Sequence, residues 1–252
     1  MGCDGSTLLA GILFLRKSLS VITEEFTDYL IKQGVQANKI VCIPNWVDIN
    51  FIRPLPQQNN SFRNDHNLQE KFVVLYAGNI ALTEGLETVI ETAVRLKHLP
   101  EIVFIIVGEE KAIKNLQSYS QNCGADNLKF FPFQPREKLP EILAAANIGL
   151  IMQKRNVTIY NMPSKTPVWL ASGRPIIASV PLNSPAARAI QQSQGGIIVS
   201  PEEPESLAQA ILDLYTNPYK AERLGQQGRQ FAVDYYSLEQ ALNQYEALFL
   251  SI

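Results

Sequence analysis

Lys165 stands where a polar loop gives way to a helix, in the run Tyr160-Asn161-Met162-Pro163-Ser164-Lys165-Thr166-Pro167-Val168-Trp169-Leu170-Ala171-Ser172-Gly173. The order of residue types reads as loop, helix of about two turns, glycine stop and then a buried strand. A helix N-terminus presents unpaired N–H groups and a partial positive charge, so a lysine beside it suits a diphosphate. Ser164 can donate a hydroxyl hydrogen bond to the same group. Lys154, Arg155 and Lys165 bracket a loop long enough to be functional, which makes Arg155 a second candidate for neutralising the anion. The competing reading is a solvated surface loop with ordinary charges.

Other chemistries find less support. No Ser/His/Asp or Cys/His arrangement is legible. Glu109-Glu110 and Glu202-Glu203 are neighbours in sequence and read as solvated loop charge, not as an acid–base dyad. The two histidines, His66 and His98, have no spaced partners, so no metal site is expected. Three cysteines, Cys3, Cys42 and Cys123, are far apart and lack CxxC spacing, as free thiols in a reducing compartment would be. A net charge of −2, with no run of Lys or Arg longer than two, argues against a nucleic-acid partner.

The elements that must carry these residues follow from the apolar pattern. With 252 residues and 46% hydrophobic content the chain has ample material for a core. Apolar, β-branched runs fall at Phe72–Tyr76, Ile102–Val107, Leu128–Phe131, Ile148–Met152, Ile176–Val180 and Gly196–Val199. Amphipathic stretches separate them at Glu84–Leu96, Lys111–Cys123, Arg136–Ala146, Lys165–Ala171, Ala186–Gln192 and Glu203–Leu214. Short continuous apolar strands alternating with helices predict an α/β, doubly wound parallel sheet covered on both faces. Two further helices, Lys220–Tyr235 and Leu238–Phe249, close the chain.

In such sheets ligands bind outside the carboxyl ends of the strands. Here those ends are Gly78-Asn79, Gly108-Glu109, Phe133-Gln134, the loop 153–165 and Ser179. Glycine at 78 and 85 lets backbone approach a bulky anion, although most glycines after strands serve only the turn. Gln134 offers amides to a base edge. The candidates for contact with a ligand are Gly78, Asn79, Gly85, Gly108, Glu109, Gln134, Ser164 and Lys165, and the resemblance described below adds Pro163.

The start of the chain is different. Leu19–Ile22 reads as a strand, Glu24–Gln33 as a helix ending at Gly34, and Ile40–Ile43 as a second strand. One βαβ cannot cover its own faces, so it must pack on other structure. Three units are expected: residues 1–53, a polar linker at 54–69, and a nucleotide-binding domain with closing helices at 70–252. Thr7–Leu15, followed by Arg16-Lys17, is too short to span a bilayer and reads as a buried helix, with an interfacial membrane helix as the alternative.

Taken in order, these residues resemble a known family. Val41–Asp48 (VCIPNWVD) resembles the I-P-N-G-V-D turn that joins the two domains of GT-B retaining glycosyltransferases of the sucrose-synthase-like group. Tyr76–Ile80 with Glu84-Gly85-Leu86 resembles the first loop of their donor domain, and Val107-Gly108, Phe130–Gln134, Leu139–Ala146 and Pro163–Ala178 continue in order. The subgroup most alike is that of bacterial exopolysaccharide enzymes of colanic-acid or fucosamine-transfer type.

The resemblance implies a nucleotide-sugar donor, UDP-linked, held by residues 70–252, with metal-independent transfer that retains anomeric configuration. It implies Lys165 as the residue that stabilises the departing diphosphate. It also implies a cytoplasmic chain, with a lipid-linked acceptor and peripheral contact at the inner membrane face. Residues 1–53 then correspond to the tail of the family's N-terminal domain, and the chain alone is expected to bind donor but transfer poorly. A separate N-terminal half would complete it. Four positions depart from the family pattern: Asn79 and Glu84 stand where many members carry Arg and Lys, and Tyr160 and Val168 where many carry glutamates. Two other readings remain open: a non-catalytic nucleotide-binding remnant, and a doubly wound interaction module without nucleotide.

Overall fold

The computed structural model of the chain describes residues 17–157 and 161–251, so Thr7–Leu15, Cys3 and Tyr160 lie outside the described residues. The chain opens with β1 (Leu19–Val21), α1 (Glu24–Lys32) and β2 (Ile40–Cys42). The two strands pair in parallel from Leu19↔Ile40 to Val21↔Cys42, giving the expected βαβ. Thr23 caps α1 by accepting a hydrogen bond from Phe26 N, and Val21, Leu30 and Val35 form its small core.

The main sheet consists of β3 (Phe72–Ala77), β4 (Ile102–Gly108), β5 (Leu128–Pro132), β6 (Ile148–Met152), β7 (Ile176–Ser179) and β8 (Gly196–Val199). All its pairings are parallel, in the order β5-β4-β3-β6-β7-β8. Strands buried on both faces need apolar side chains at successive positions, which is why β4 is Ile-Val-Phe-Ile-Ile-Val before its glycine. Alternation divides them: Val73 and Leu75 face one core, Val74 and Tyr76 the other. The first core is covered by α5 (Leu139–Ala145), α6 (Lys165–Ser172) and α7 (Pro185–Ser193), the second by α3 (Glu87–Leu96), α4 (Glu110–Cys123) and α8 (Pro204–Thr216). This is the doubly wound arrangement.

The polar segment expected as a linker is packed instead. It carries α2 (Ser61–Asp65), capped by the Asn60 side chain, with Phe62 and Arg63 buried. The Arg63 guanidinium donates to Ala145 O at 2.6 Å, to Gln69 O at 3.3 Å, to Asn147 Oδ1 at 3.3 Å and to Lys71 O. A buried cation without a counter-ion is tolerable when its fork of N–H groups is met by carbonyls. Arg174 donates to Leu55 O and Ala144 O, and Arg229 to Ile52 O, Ala171 O and Ile49 O. Three arginines thus stitch residues 49–71 to the domain.

After the sheet, α9 (Pro218–Tyr235) packs on α6 and α7, and α10 (Leu238–Leu250) follows. Val47 N donates to Tyr236 O at 2.8 Å, which ties the Pro44–Asp48 turn to the junction of these helices. Tyr235, Leu242, Phe249 and Leu250 are exposed, so the closing helices leave apolar surface uncovered. Among the described residues no helix is long and apolar enough to cross a membrane.

Candidate functional site

The chain runs outward from β3 to β5 and then returns to place β6 on the other side of β3. Loops leaving β3 and β6 therefore diverge, and a crevice opens between their carboxyl ends. A cavity of about 530 Å³ lies there, of a size suited to a small-molecule ligand. Its apolar wall includes Val107, Leu139, Ile142 and Trp169; its polar wall includes Asn79, Glu84, Gln134, Gln153 and Lys165.

Packing fixes how α6 meets this cavity. Trp169 is fully buried, and its ring lies where a side chain on Gly149 would be: a Cβ there would come within 2.4 Å of it. The indole thus seats α6 flat against β6, and the first residue of the helix, Lys165, projects over the end of β3. Its Nζ donates to Glu84 Oε2 and to the Tyr76 hydroxyl, both at 2.9 Å, and lies 4.7 Å from the centre of the Tyr76 ring. The Tyr76 hydroxyl in turn donates to Asn79 O. Burial, reinforced by the Glu84 carboxylate, pushes the Tyr76 phenol well above its ordinary pKa, so it stays protonated and keeps this chain of donors intact.

Lys165 therefore reaches the crevice beside Gly78, where the sequence places it. The contact depends on the glycine: a Cβ on Gly78 would come within 2.8 Å of Lys165 Cε. The amides contribute less than the sequence suggests. Gly78 N donates to Val107 O at 3.0 Å, Thr166 N donates to Pro163 O at 3.0 Å, and Pro167 has no N–H. Positive charge for an anion thus comes chiefly from the lysine side chain.

Gly78, Asn79, Gln134, Pro163, Ser164 and Lys165 all line the cavity, whereas Gly85, Gly108 and Glu109 do not. Gly85 sits against Lys154, where a Cβ would come within 3.1 Å of Cγ, and Lys154 N holds Thr83 O at 2.8 Å. Gly108 makes room for Ile80, whose Cδ1 would be 2.4 Å from an added Cβ. Glu109 is the exposed N-cap residue of α4. Gln134 is exposed, and its Nε2 donates to Pro132 O.

Arg155 does not join Lys165. Its Nη2 pairs with Glu203 Oε1 at 3.1 Å, its Nε donates to Pro201 O, and its backbone N–H bonds Glu202 Oε2 at 3.2 Å. Opposite charge on the loop before α8 turns it away, so Glu202 and Glu203 are its partners and not free solvated charges. Tyr76, Gln153 and the pairing role of Glu84 escape a reading by sequence. Tyr76 and Glu84 meet Lys165 across 89 and 81 positions, which no local spacing reveals. Among the described residues no group of three or more His, Cys, Asp or Glu is placed to hold a metal ion.

The fold recurs in known proteins. The chain is 32% identical over 197 residues to a colanic acid biosynthesis glycosyl transferase, WcaI, of Escherichia coli K12, covering 77% of this chain and 48% of that protein. It spans about half the length of the curated relatives it matches first. Its structure superposes on Anabaena HepE, solved in complex with UDP and glucose, with TM-score 0.85 at 16% identity, over 100% of this chain and 68% of HepE. It also matches the C-terminal domain of LpcC from Francisella tularensis, a group 1 glycosyl transferase, with TM-score 0.63 at 20% identity, over 76% of this chain and 99% of that domain. These likenesses give a GT-B-like α/β fold. The family model described as "Glycosyl transferases group 1" matches residues 58–231, which include every wall of the crevice, and the chain belongs to that family.

Proposed function

We propose that this chain is the donor-binding part of a retaining glycosyltransferase of the sucrose-synthase-like group and takes a UDP-sugar. The observation that carries the reading is Lys165: an ammonium held at the mouth of the crevice between β3 and β6, against a glycine that leaves room for a bulky anion. The UDP complexes of HepE support the choice of nucleotide, and the name of WcaI supports a role in building a cell-surface polysaccharide.

The chemistry follows from the placement. When the bond between the anomeric carbon and the diphosphate oxygen lengthens, negative charge grows on the leaving group. An ammonium fixed beside it is worth more in the transition state than in the ground state. No metal is required for that stabilisation. Residues 1–53 act as the tail of an N-terminal domain whose remainder shapes the acceptor site, and the acceptor is a lipid-linked intermediate at the cytoplasmic membrane face. On this reading residues 70–252 bind the donor.

Isothermal titration calorimetry of the chain with UDP, carried to millimolar concentration, tests the proposal. Saturable heat with a one-to-one midpoint is expected. A flat titration with UDP and with UDP-sugars overturns the reading.

A further inference from the structure

One wall of the crevice holds a hydrogen-bond acceptor that the protein itself leaves unused. Gln153 follows β6 at the switch point, is only 4% exposed and lines the cavity. Its backbone N–H donates to Ser179 O at 2.8 Å, and its side-chain Nε2 donates to Asn161 O at 3.4 Å. Its Oε1 is shut off from solvent and meets no donor. The Asn161 carbonyl decides which end of the amide is which, because turning the group over would bring two acceptors face to face. The orphan is therefore an acceptor, and a buried acceptor left unmet is costly enough to need a reason.

We propose that Gln153 reads the sugar of the donor, its Oε1 accepting a hydrogen bond from one of the sugar's hydroxyl groups. This rests on the UDP-sugar reading above and deepens it. An unmet acceptor on a residue that lines a cavity calls for a ligand that donates once the amide turns toward it. The diphosphate cannot, since its oxygens are acceptors. The base, the ribose and the sugar can, and strand order selects among them. Gln134, the candidate for the base, follows β5 and lines the cavity. Lys165 and Gly78 mark the diphosphate at the end of β3. Gln153 follows β6, on the far side of β3 from β5, and three strand spacings separate β5 from β6, roughly 14 Å at the usual ~4.8 Å each. A ligand laid across the carboxyl ends with its base at β5 and its diphosphate at β3 carries its sugar over β6. There Gln153 is the buried side chain with an acceptor to spare.

Calorimetry on the whole chain and two variants, with UDP, UDP-glucose and UDP-N-acetylglucosamine as probes, tests this. Gln153→Met keeps the length and most of the volume but has no acceptor of comparable strength. It should bind UDP within about twofold of wild type and lose about five- to tenfold in affinity for the sugar conjugate that wild type prefers. Gln153→Glu keeps an acceptor at the same place. Its added charge weakens all three probes, yet the ratio of conjugate to UDP affinity should stay within about twofold of wild type. If the first fails to fold, a Gln153→Glu ratio that departs from wild type by more than about fivefold overturns the inference. An equal loss for UDP and conjugates in Gln153→Met shows that the residue reads the nucleoside or merely supports the loop, and overturns the inference. So does a conjugate affinity that does not move, or a wild type that binds UDP but neither conjugate. Failure of wild type to bind UDP at all overturns the UDP-sugar reading itself, a result distinct from the others.

Discussion

The two ends of the six-stranded sheet treat buried cations in opposite ways. At the amino end, Arg63 is 5% exposed and spends its N–H groups on carbonyls of Ala145, Gln69 and Lys71 and on Asn147. Arg174, in the turn before β7, likewise bonds main-chain carbonyls at residues 55 and 144. Burial lowers the pKa of both guanidinium groups, and among the described residues neither pairs with a carboxylate; their bonds run mainly to backbone carbonyls. At the carboxyl end, among the described residues, the Lys165 ammonium bonds side chains, a hydroxyl and one carboxylate, and borders an open cavity. Backbone carbonyls cannot leave, but a carboxylate on a loop can. The first kind of cation is committed to the fold; the second, on the proposed reading, is the one a ligand can reach.

That contrast is broken most severely at Arg63. Arg63→Ala would take this partner from the carbonyls of Ala145, Gln69 and Lys71 beneath α2, leaving Gln57, Asn60 and Arg174 to tie the 54–69 segment to the domain. The expected loss of stability is about 3–5 kcal/mol, read as a shift of the urea midpoint. UDP affinity of the protein that remains folded should be unchanged, because no atom of Arg63 faces the crevice. A loss under about 1 kcal/mol would show that this segment is a tether after all.

The same contrast explains what could be read in the sequence. The six strands and their helices were legible because strands buried on both faces are continuous apolar runs; strand ends differ from the expected ones by at most one residue, as at Ile176–Ser179 against Ile176–Val180, and helix starts by up to three, as at Glu87 against Glu84. Helix α2 was not legible. Asn60-Ser61-Phe62-Arg63-Asn64-Asp65 has the composition of a loop, and the partners that bury Arg63 are main-chain atoms up to 82 positions away. At the site, Lys165 was legible from the loop-to-helix transition and the glycine stop. Gly85 and Gly108 share the signature of Gly78 but serve packing against Lys154 and Ile80, a difference set by neighbours and not by type. Arg155 and Lys165 are alike in sequence, and only the position of Glu203 tells them apart.

A smaller effect on the fold and a larger one on the ligand are expected at the other end of the sheet. Lys165→Ala removes a charge-assisted contact to diphosphate of about 1.5–3 kcal/mol, so UDP affinity should fall roughly ten- to a hundredfold. Stability should change by only about 1 kcal/mol, since Glu84 can turn toward solvent through the crevice. The two readouts, calorimetry with UDP and urea unfolding, should thus rank Arg63→Ala and Lys165→Ala in opposite order. If Lys165→Ala unfolds the chain as readily as Arg63→Ala, the ammonium is a structural group and the distinction between the two ends fails.

Glu84 gives the finest test, because it separates holding Lys165 from lending it. Its carboxylate lies 2.9 Å from Nζ on a pair whose side chains are 12% and 16% exposed, partly screened by water. A diphosphate arriving at Lys165 must displace that carboxylate or share the ammonium with it, and both anions repel across a few ångströms. Glu84→Gln keeps the length of the side chain and an oxygen that can accept from Lys165, but removes the negative charge. UDP should then bind about three- to fivefold more tightly, a gain of about 1 kcal/mol, and the difference should shrink at high salt as screening weakens the repulsion. The sign carries the argument: neutralising the partner of a lending cation helps the ligand, whereas neutralising the partner of a positioned one disorders the ammonium and weakens binding. A loss of UDP affinity in Glu84→Gln would make Glu84 a positioning residue for Lys165 and would set this ion pair beside Arg63 as part of the frame.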